Sequence, residues 1–255
     1  MNEGNMNLGQ RVGFLHFPKT AGTTLGNAII SRANDRIAVT SWKEADAADL
    51  TSPQVVHGHL LYDQLVECMG PEGFLMTNFR HPIERIFSLY RFRQRRPDDP
   101  HHEAAMSMTL AEFVEAGYGT HTYLPQLTHE VVKDDNGVAT GVRPSPGTPA
   151  DRLALAEKRI DSFDHVGISE YFDYSMLLLA HDLGVEPFWS AATMNTAPSP
   201  TSRKDLDEDT IEVIKRCVAG EIRLYNYALK RFKRDISKLV GAPEPIEQSA
   251  KGKGA

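Results

Sequence analysis

Phe17-Pro18-Lys19-Thr20-Ala21-Gly22-Thr23-Thr24 packs one lysine, one glycine and three hydroxyl side chains into a single turn. Small residues let the main chain wrap closely round an anion, and the free N–H groups at the start of a following helix point into such a loop. Lys19, Thr20, Ala21, Gly22, Thr23 and Thr24 therefore form a candidate phosphate cradle. It is not a Walker A loop, because the GxxxxGK[ST] order is missing and the lysine precedes the glycine. An ordinary helix start capped by a threonine would use the same residue types, so the loop alone leaves both readings open.

Two further groups carry chemistry. In Thr77-Asn78-Phe79-Arg80-His81-Pro82-Ile83-Glu84-Arg85-Ile86-Phe87-Ser88-Leu89-Tyr90, Arg80 stands where a strand ends and Ser88 on the helix that follows. A guanidinium donates two parallel hydrogen bonds to a phosphate, although the six arginines between Arg80 and Arg96 also suit a solvated face. In Val55-Val56-His57-Gly58-His59-Leu60 the period of two puts His57 and His59 on one strand face, with Gly58 leaving room beside them. A neutral imidazole can take a hydroxyl proton. The same pair also suits two ligands of a metal, as in a metal-dependent hydrolase, but no companion motif supplies the remaining ligands.

These residues need a scaffold of strands ending in loops. The apolar runs Val12–Phe17, Ile37–Val39, Gln54–His57 and Phe74–Phe79 each precede a segment of helical character, the alternation of a layered α/β domain with a mostly parallel sheet. Ile83, Ile86, Phe87 and Tyr90 fall on one helical stripe, which predicts Arg85 and Arg91 on the exposed side and an end at Pro97-Asp98-Asp99-Pro100. Residues 133–149, rich in turn signals, read as a surface excursion. Ala150–Ile160 predicts a helix, His165–Ile168 a buried strand and Tyr171–Leu183 a helix. Apolar positions from Ile211 to Phe232 predict one long amphipathic helix. A single domain over 1–240 is expected, followed by a disordered tail over 241–255.

Composition excludes several classes. A net charge of −6 argues against attraction to nucleic acid or anionic membrane, so an anion site must come from local clustering. Met1–Gln10 is polar, and no later stretch approaches the ~20 apolar residues of a span. Cys68 and Cys217 have no CxxC spacing, which predicts neither a disulfide framework nor a cysteine zinc site. A cytoplasmic protein is expected.

The order of the motifs adds more. PKTAGTT after the first strand, His-Gly-His on a middle strand and RHPIERIFSLY after another strand resemble the cofactor and base motifs of sulfotransferases that use 3′-phosphoadenosine 5′-phosphosulfate (PAPS). The likeness is greatest to the carbohydrate branch that includes heparan sulfate 2-O-sulfotransferase, and it extends to Val166–Phe172 and Leu224–Ala228. It implies a P-loop-like three-layer fold, Lys19 to Thr24 around the 5′-phosphosulfate, and Arg80 with Ser88 on the 3′-phosphate. It implies His59 as base on the acceptor hydroxyl and His57 as its supporting partner. Lys19 is then the cation that stabilises charge on the leaving 5′-phosphate, with no metal required and 3′-phosphoadenosine 5′-phosphate (PAP) as product. The acceptor is a hydroxyl on a carbohydrate or other small molecule. Golgi members of the branch carry an N-terminal anchor, for which residues 1–10 offer no apolar run. A P-loop-type nucleotide kinase and a binding protein without turnover are the alternatives.

Overall fold

The computed structural model describes residues 10–31, 37–45, 53–187 and 206–241. The tail expected over 241–255 lies outside these residues except for Gly241, as does the polar start before residue 10. The chain runs β1 (Val12–Leu15), α1 (Gly22–Ile30), β2 (Ile37–Ser41), α2 (Trp42–Ala45), β3 (Val55–His59), α3 (Tyr62–Met69), β4 (Phe74–Phe79) and α4 (Pro82–Gln94). It continues with α5 (His102–Ser107), α6 (Leu110–Glu115), α7 (Tyr123–Thr128), β5 (His129–Lys133), β6 (Ala139–Pro144) and α8 (Pro149–Asp161). The last elements are β7 (His165–Ile168), α9 (Phe172–Leu183), α10 (Glu208–Cys217) and α11 (Ala219–Leu239).

Five strands pair in parallel in the order β2-β3-β1-β4-β7. Strand alternation sends side chains into two helical layers. Val12, Phe14, Val55, Phe74 and Met76 meet Leu25 and Ile29 of α1 and Met176 and Leu179 of α9. Leu15, Val56, Leu75 and Val166 meet Leu65 of α3, Leu127 of α7, Ile160 of α8 and Leu224 of α11. Both faces are covered, so every residue of β1 and β4 is buried, Thr77 and Asn78 included. This is the expected three-layer, P-loop-like α/β arrangement. β1 is flanked by β3 and β4, and ligands of open parallel sheets bind beyond the carboxyl ends of such central strands.

Three local expectations differ. Arg85 is not exposed but fully buried, because the segment between α6 and α7 wraps over α4. Its guanidinium donates to the Gly119 carbonyl at 2.6 Å and lies 5.5 Å from the Tyr123 ring. The excursion at 133–149 contains a hairpin, where antiparallel β5 and β6 join through a turn in which Asp134 Oδ1 accepts from the N–H groups of Asn136 and Val138. The long C-terminal helix is two helices, broken at Val218 (φ −120°, ψ 24°). The break serves two cores: Ile211 and Ile214 pack with Ile83, Ile86 and Phe113, whereas Leu224 and Phe232 pack on the main sheet.

Candidate active site

The loop after β1 is held in a conformation that non-glycine residues avoid. Lys19 (φ 67°) and Ala21 (φ 60°) are both left-handed, a state costing about 1–2 kcal/mol per residue. Thr20 between them is fully buried, with its hydroxyl donating to the Phe17 carbonyl at 2.8 Å. From the far side, Asn78 Nδ2 donates to the Thr20 carbonyl and to Ser169 Oγ (3.0 Å), and Ser169 Oγ donates to the same Thr20 carbonyl at 2.9 Å. The ends of β4 and β7 thus fix the loop. Ala21 is the N-cap of α1 and contributes no side-chain cap, so no capping side chain competes for an anion at this helix start. The helix start is therefore not capped by a threonine at its N-cap position. Thr23 is half-buried and Thr24 buried in the first turn of α1.

Positive charge gathers round the loop, and of its members Arg96 is paired, with Asp98 at 3.2 Å. Arg80, just past β4, donates from Nη1 to the Lys19 carbonyl at 3.3 Å, which brings the first two motifs together. The Lys19 ammonium rests 4.1 Å above the Phe92 ring of α4. Burial, and then the charges of Arg80, Arg95 and Arg96, lower its pKa to about 8. Among the described residues no carboxylate pairs with Lys19, Arg80 or Arg95. Lys19 and Arg80 thus stand beside a strained helix start whose N-cap residue offers no side-chain cap, a setting that would suit a multiply charged anion. Ser88 is half-buried in α4, with no hydrogen-bond partner among the described residues.

The third motif brings in a histidine that sequence reasoning left aside. The ring of His16, at the exit of β1, lies between those of His57 (centroids 4.9 Å apart) and His59 (4.8 Å). His57 is buried, stacked on Phe14 and hydrogen-bonded through Nε2 to His16 Nδ1 at 3.0 Å. Burial followed by the nearby His59 lowers the His57 pKa to about 4, and burial with the charges of His57, His59 and Lys19 puts His16 well below its ordinary value. Both are neutral at pH 7. Exposed His59 has its Nδ1 2.7 Å from the His16 carbonyl. A carbonyl only accepts, so Nδ1 carries the proton and the neutral ring presents the lone pair of Nε2. It is the main chain of His16, rather than His57, that selects this tautomer.

Two glycines make the arrangement possible. A Cβ at Gly22 would lie 2.0 Å from the His16 ring, so the helix start and the imidazoles touch. A Cβ at Gly58 would lie 1.7 Å from the Thr40 carbonyl. Gly58 therefore serves the pairing of β3 with β2, and Gly22 gives the His16 ring its room.

Tyr123 and Gln126 of α7 also escaped sequence reasoning, having no motif of their own. Tyr123 donates to the Arg80 carbonyl and accepts from the Arg80 N–H, and Gln126 donates to the Leu60 and His16 carbonyls. Ser169 lies in a segment noted for its likeness, without an assigned role. Among the described residues no three His, Cys, Asp or Glu side chains converge as a metal site. A separate cleft near the start of β7, lined by Asp161, Asp164, Asp182, Arg231 and Lys238, holds none of the motif residues. Within it Arg231 and Arg234 both pair with Asp235, at 3.4 and 3.2 Å.

No protein-family model matches the chain, and no curated protein matches it. Among solved structures it is similar to a mouse sulfotransferase, SULT7A1, complexed with PAP, at 14% identity and a TM-score of 0.42 over 85% of this chain and 70% of that one. It is also similar to a sulfotransferase from Alicyclobacillus acidocaldarius, at 12% identity and a TM-score of 0.43 over 92% of this chain and 97% of that one.

Proposed function

We propose that this chain transfers a sulfuryl group from PAPS to a hydroxyl of a small-molecule or carbohydrate acceptor. The observation that carries the reading is the uncapped, strained start of α1, with unpaired Lys19 and Arg80 beside it and an imidazole array against it. The main-chain N–H groups and Thr23 and Thr24 cradle the 5′-phosphosulfate. Arg80 and Ser88 take the 3′-phosphate. His59 Nε2 accepts the acceptor's hydroxyl proton as its oxygen bonds to sulfur. The bond from sulfur to the bridging phosphate oxygen breaks in line, and the electron pair leaves on the 5′-phosphate of PAP. Lys19 stabilises that charge. The His16 carbonyl holds the base in place, and the rings of His57 and His16, both neutral, do not compete for the proton.

The test is mass spectrometry of acceptor pools incubated with the protein and PAPS in EDTA, with a gain of one sulfate expected. Tight PAP binding with no transfer to sugars, phenols or lipids would make it a binding protein. Magnesium-dependent ATP hydrolysis without sulfate transfer would make it a kinase-like enzyme.

A further inference from the structure

A six-residue helix has little stability of its own, yet α7 touches both halves of the site. It is pinned from 97–99 residues away: the N–H groups of Thr122 (3.2 Å), Tyr123 (2.8 Å) and Leu124 (3.1 Å) all donate to the buried carboxylate of Glu221 at the start of α11. Burying a carboxylate is tolerable when hydrogen bonds satisfy its oxygens, and the positive end of a helix favours the charge.

One side of α7 then faces the nucleotide half. Tyr123 is fully buried, its ring 4.8 Å from Phe17 before the cradle and 4.8 Å from Phe79 before Arg80. Its hydroxyl donates to the Arg80 carbonyl at 2.5 Å and accepts from the Arg80 N–H at 3.1 Å, gripping both polar atoms of one residue's main chain. Three residues on, and so on the same helix face, Gln126 Nε2 donates to the Leu60 carbonyl at 3.0 Å and to the His16 carbonyl at 3.4 Å. The latter is the carbonyl that fixes the His59 tautomer.

The geometry points to Tyr123 and Gln126 as positioning residues, the first for Arg80 on the nucleotide and the second for the base His59. α7, fixed by Glu221, sets the spacing between the two. This rests on the proposed function, and it assigns the two halves of the reaction to two side chains one turn apart. A structural role alone would weaken binding, turnover and stability together, whereas positioning separates them.

The test measures PAP and AMP affinities, kcat at saturating PAPS, pH–rate profiles and melting temperatures for wild type, Tyr123→Phe, Gln126→Met and Glu221→Gln. Tyr123→Phe keeps the ring and should lose about tenfold in PAP affinity, the scale of one hydrogen bond left unmade, with AMP affinity and kcat little changed. Gln126→Met should keep PAP affinity, lose about tenfold in kcat and shift the acid limb of the rate profile. Glu221→Gln loosens the shared fixture and should impair both properties. It serves as the readout should Tyr123→Phe fold poorly. Parallel losses in every variant that follow melting temperature, or unchanged discrimination in Tyr123→Phe, would overturn the inference. Equal wild-type affinities for PAP and AMP would overturn the nucleotide reading and this inference with it.

Discussion

Lys19 rests with its ammonium on the Phe92 ring and its pKa lowered to about 8 by burial and by Arg80, Arg95 and Arg96. A bound nucleotide supplies the negative charge this cluster lacks, so in the complex the proton is held firmly. The sign follows directly: below pH 8 Lys19 is already charged and binding needs no proton, whereas above pH 8 binding must take one up. The dissociation constant of PAP should then be nearly flat between pH 6.5 and 7.5 and should rise about tenfold from pH 7 to pH 9 through this single linkage. The phosphates blur the rise above pH 7 little, since their second ionisation near ~6 is about nine-tenths complete there. Calorimetry in buffers of different ionisation enthalpy reads the same event as uptake of nearly one proton at pH 9 and about a tenth of one at pH 7. Lys19→Met should bind more weakly and show no slope. A flat wild-type affinity to pH 9, with no proton uptake, would refute the claim that Lys19 faces the nucleotide.

Arg80→Ala should lower PAP affinity about 10- to 100-fold while leaving AMP affinity within about twofold, because charge-assisted hydrogen bonds to the 3′-phosphate are what it removes; competition binding with the two nucleotides checks it. His59→Ala should keep PAP affinity but lose about 10²–10⁴-fold in kcat, together with the acid limb of the pH–rate profile, and stopped-time product assays from pH 5 to 8 would detect a surviving limb. His57→Ala should cost less turnover, since the His16 carbonyl rather than His57 holds the base. The lowered pKa of His57, about 4 against 6.5 for a free imidazole, means the unfolded chain binds more protons in that window, so stability is present above 6.5 and lost as pH falls to 4. At about 1.4 kcal/mol per tenfold in proton affinity this is on the order of 3 kcal/mol. Urea unfolding at pH 7 and 4.5 should show a smaller loss in His57→Phe than in wild type.

The α/β layering was legible because buried parallel strands write themselves as short, mainly apolar runs, as Val12–Leu15 does and as Phe74–Phe79 does apart from Thr77 and Asn78. The cradle, Arg80 and the His57/His59 pair were legible because each lies in a contiguous segment next to a strand end. The residues that hold them were not. Tyr123 reaches Arg80 across 43 residues and His16 meets His57 across 41, and such contacts leave no local period. Arg85 was misread for the same reason: a helical wheel shows which side of α4 is polar, but not that the chain near Gly119 closes over it. The break at Val218 escaped because the apolar period continues through it, and only the existence of two separate cores requires the turn.

The carboxylate that pins α7 also has a place in time. Synthesis runs from the N-terminus, so the loop after β1 and the histidine strand leave the ribosome first and Arg80 follows roughly 140 residues ahead of Glu221, an interval of roughly 7–30 s at typical elongation rates. During that interval the nascent chain has every motif proposed to bind phosphate but lacks Glu221, the residue that pins α7. Nucleotide stabilises only the state it binds. PAP or PAPS in the cell should therefore leave the growing chain alone and act only on the finished one, as a late check that its C-terminal helix has docked.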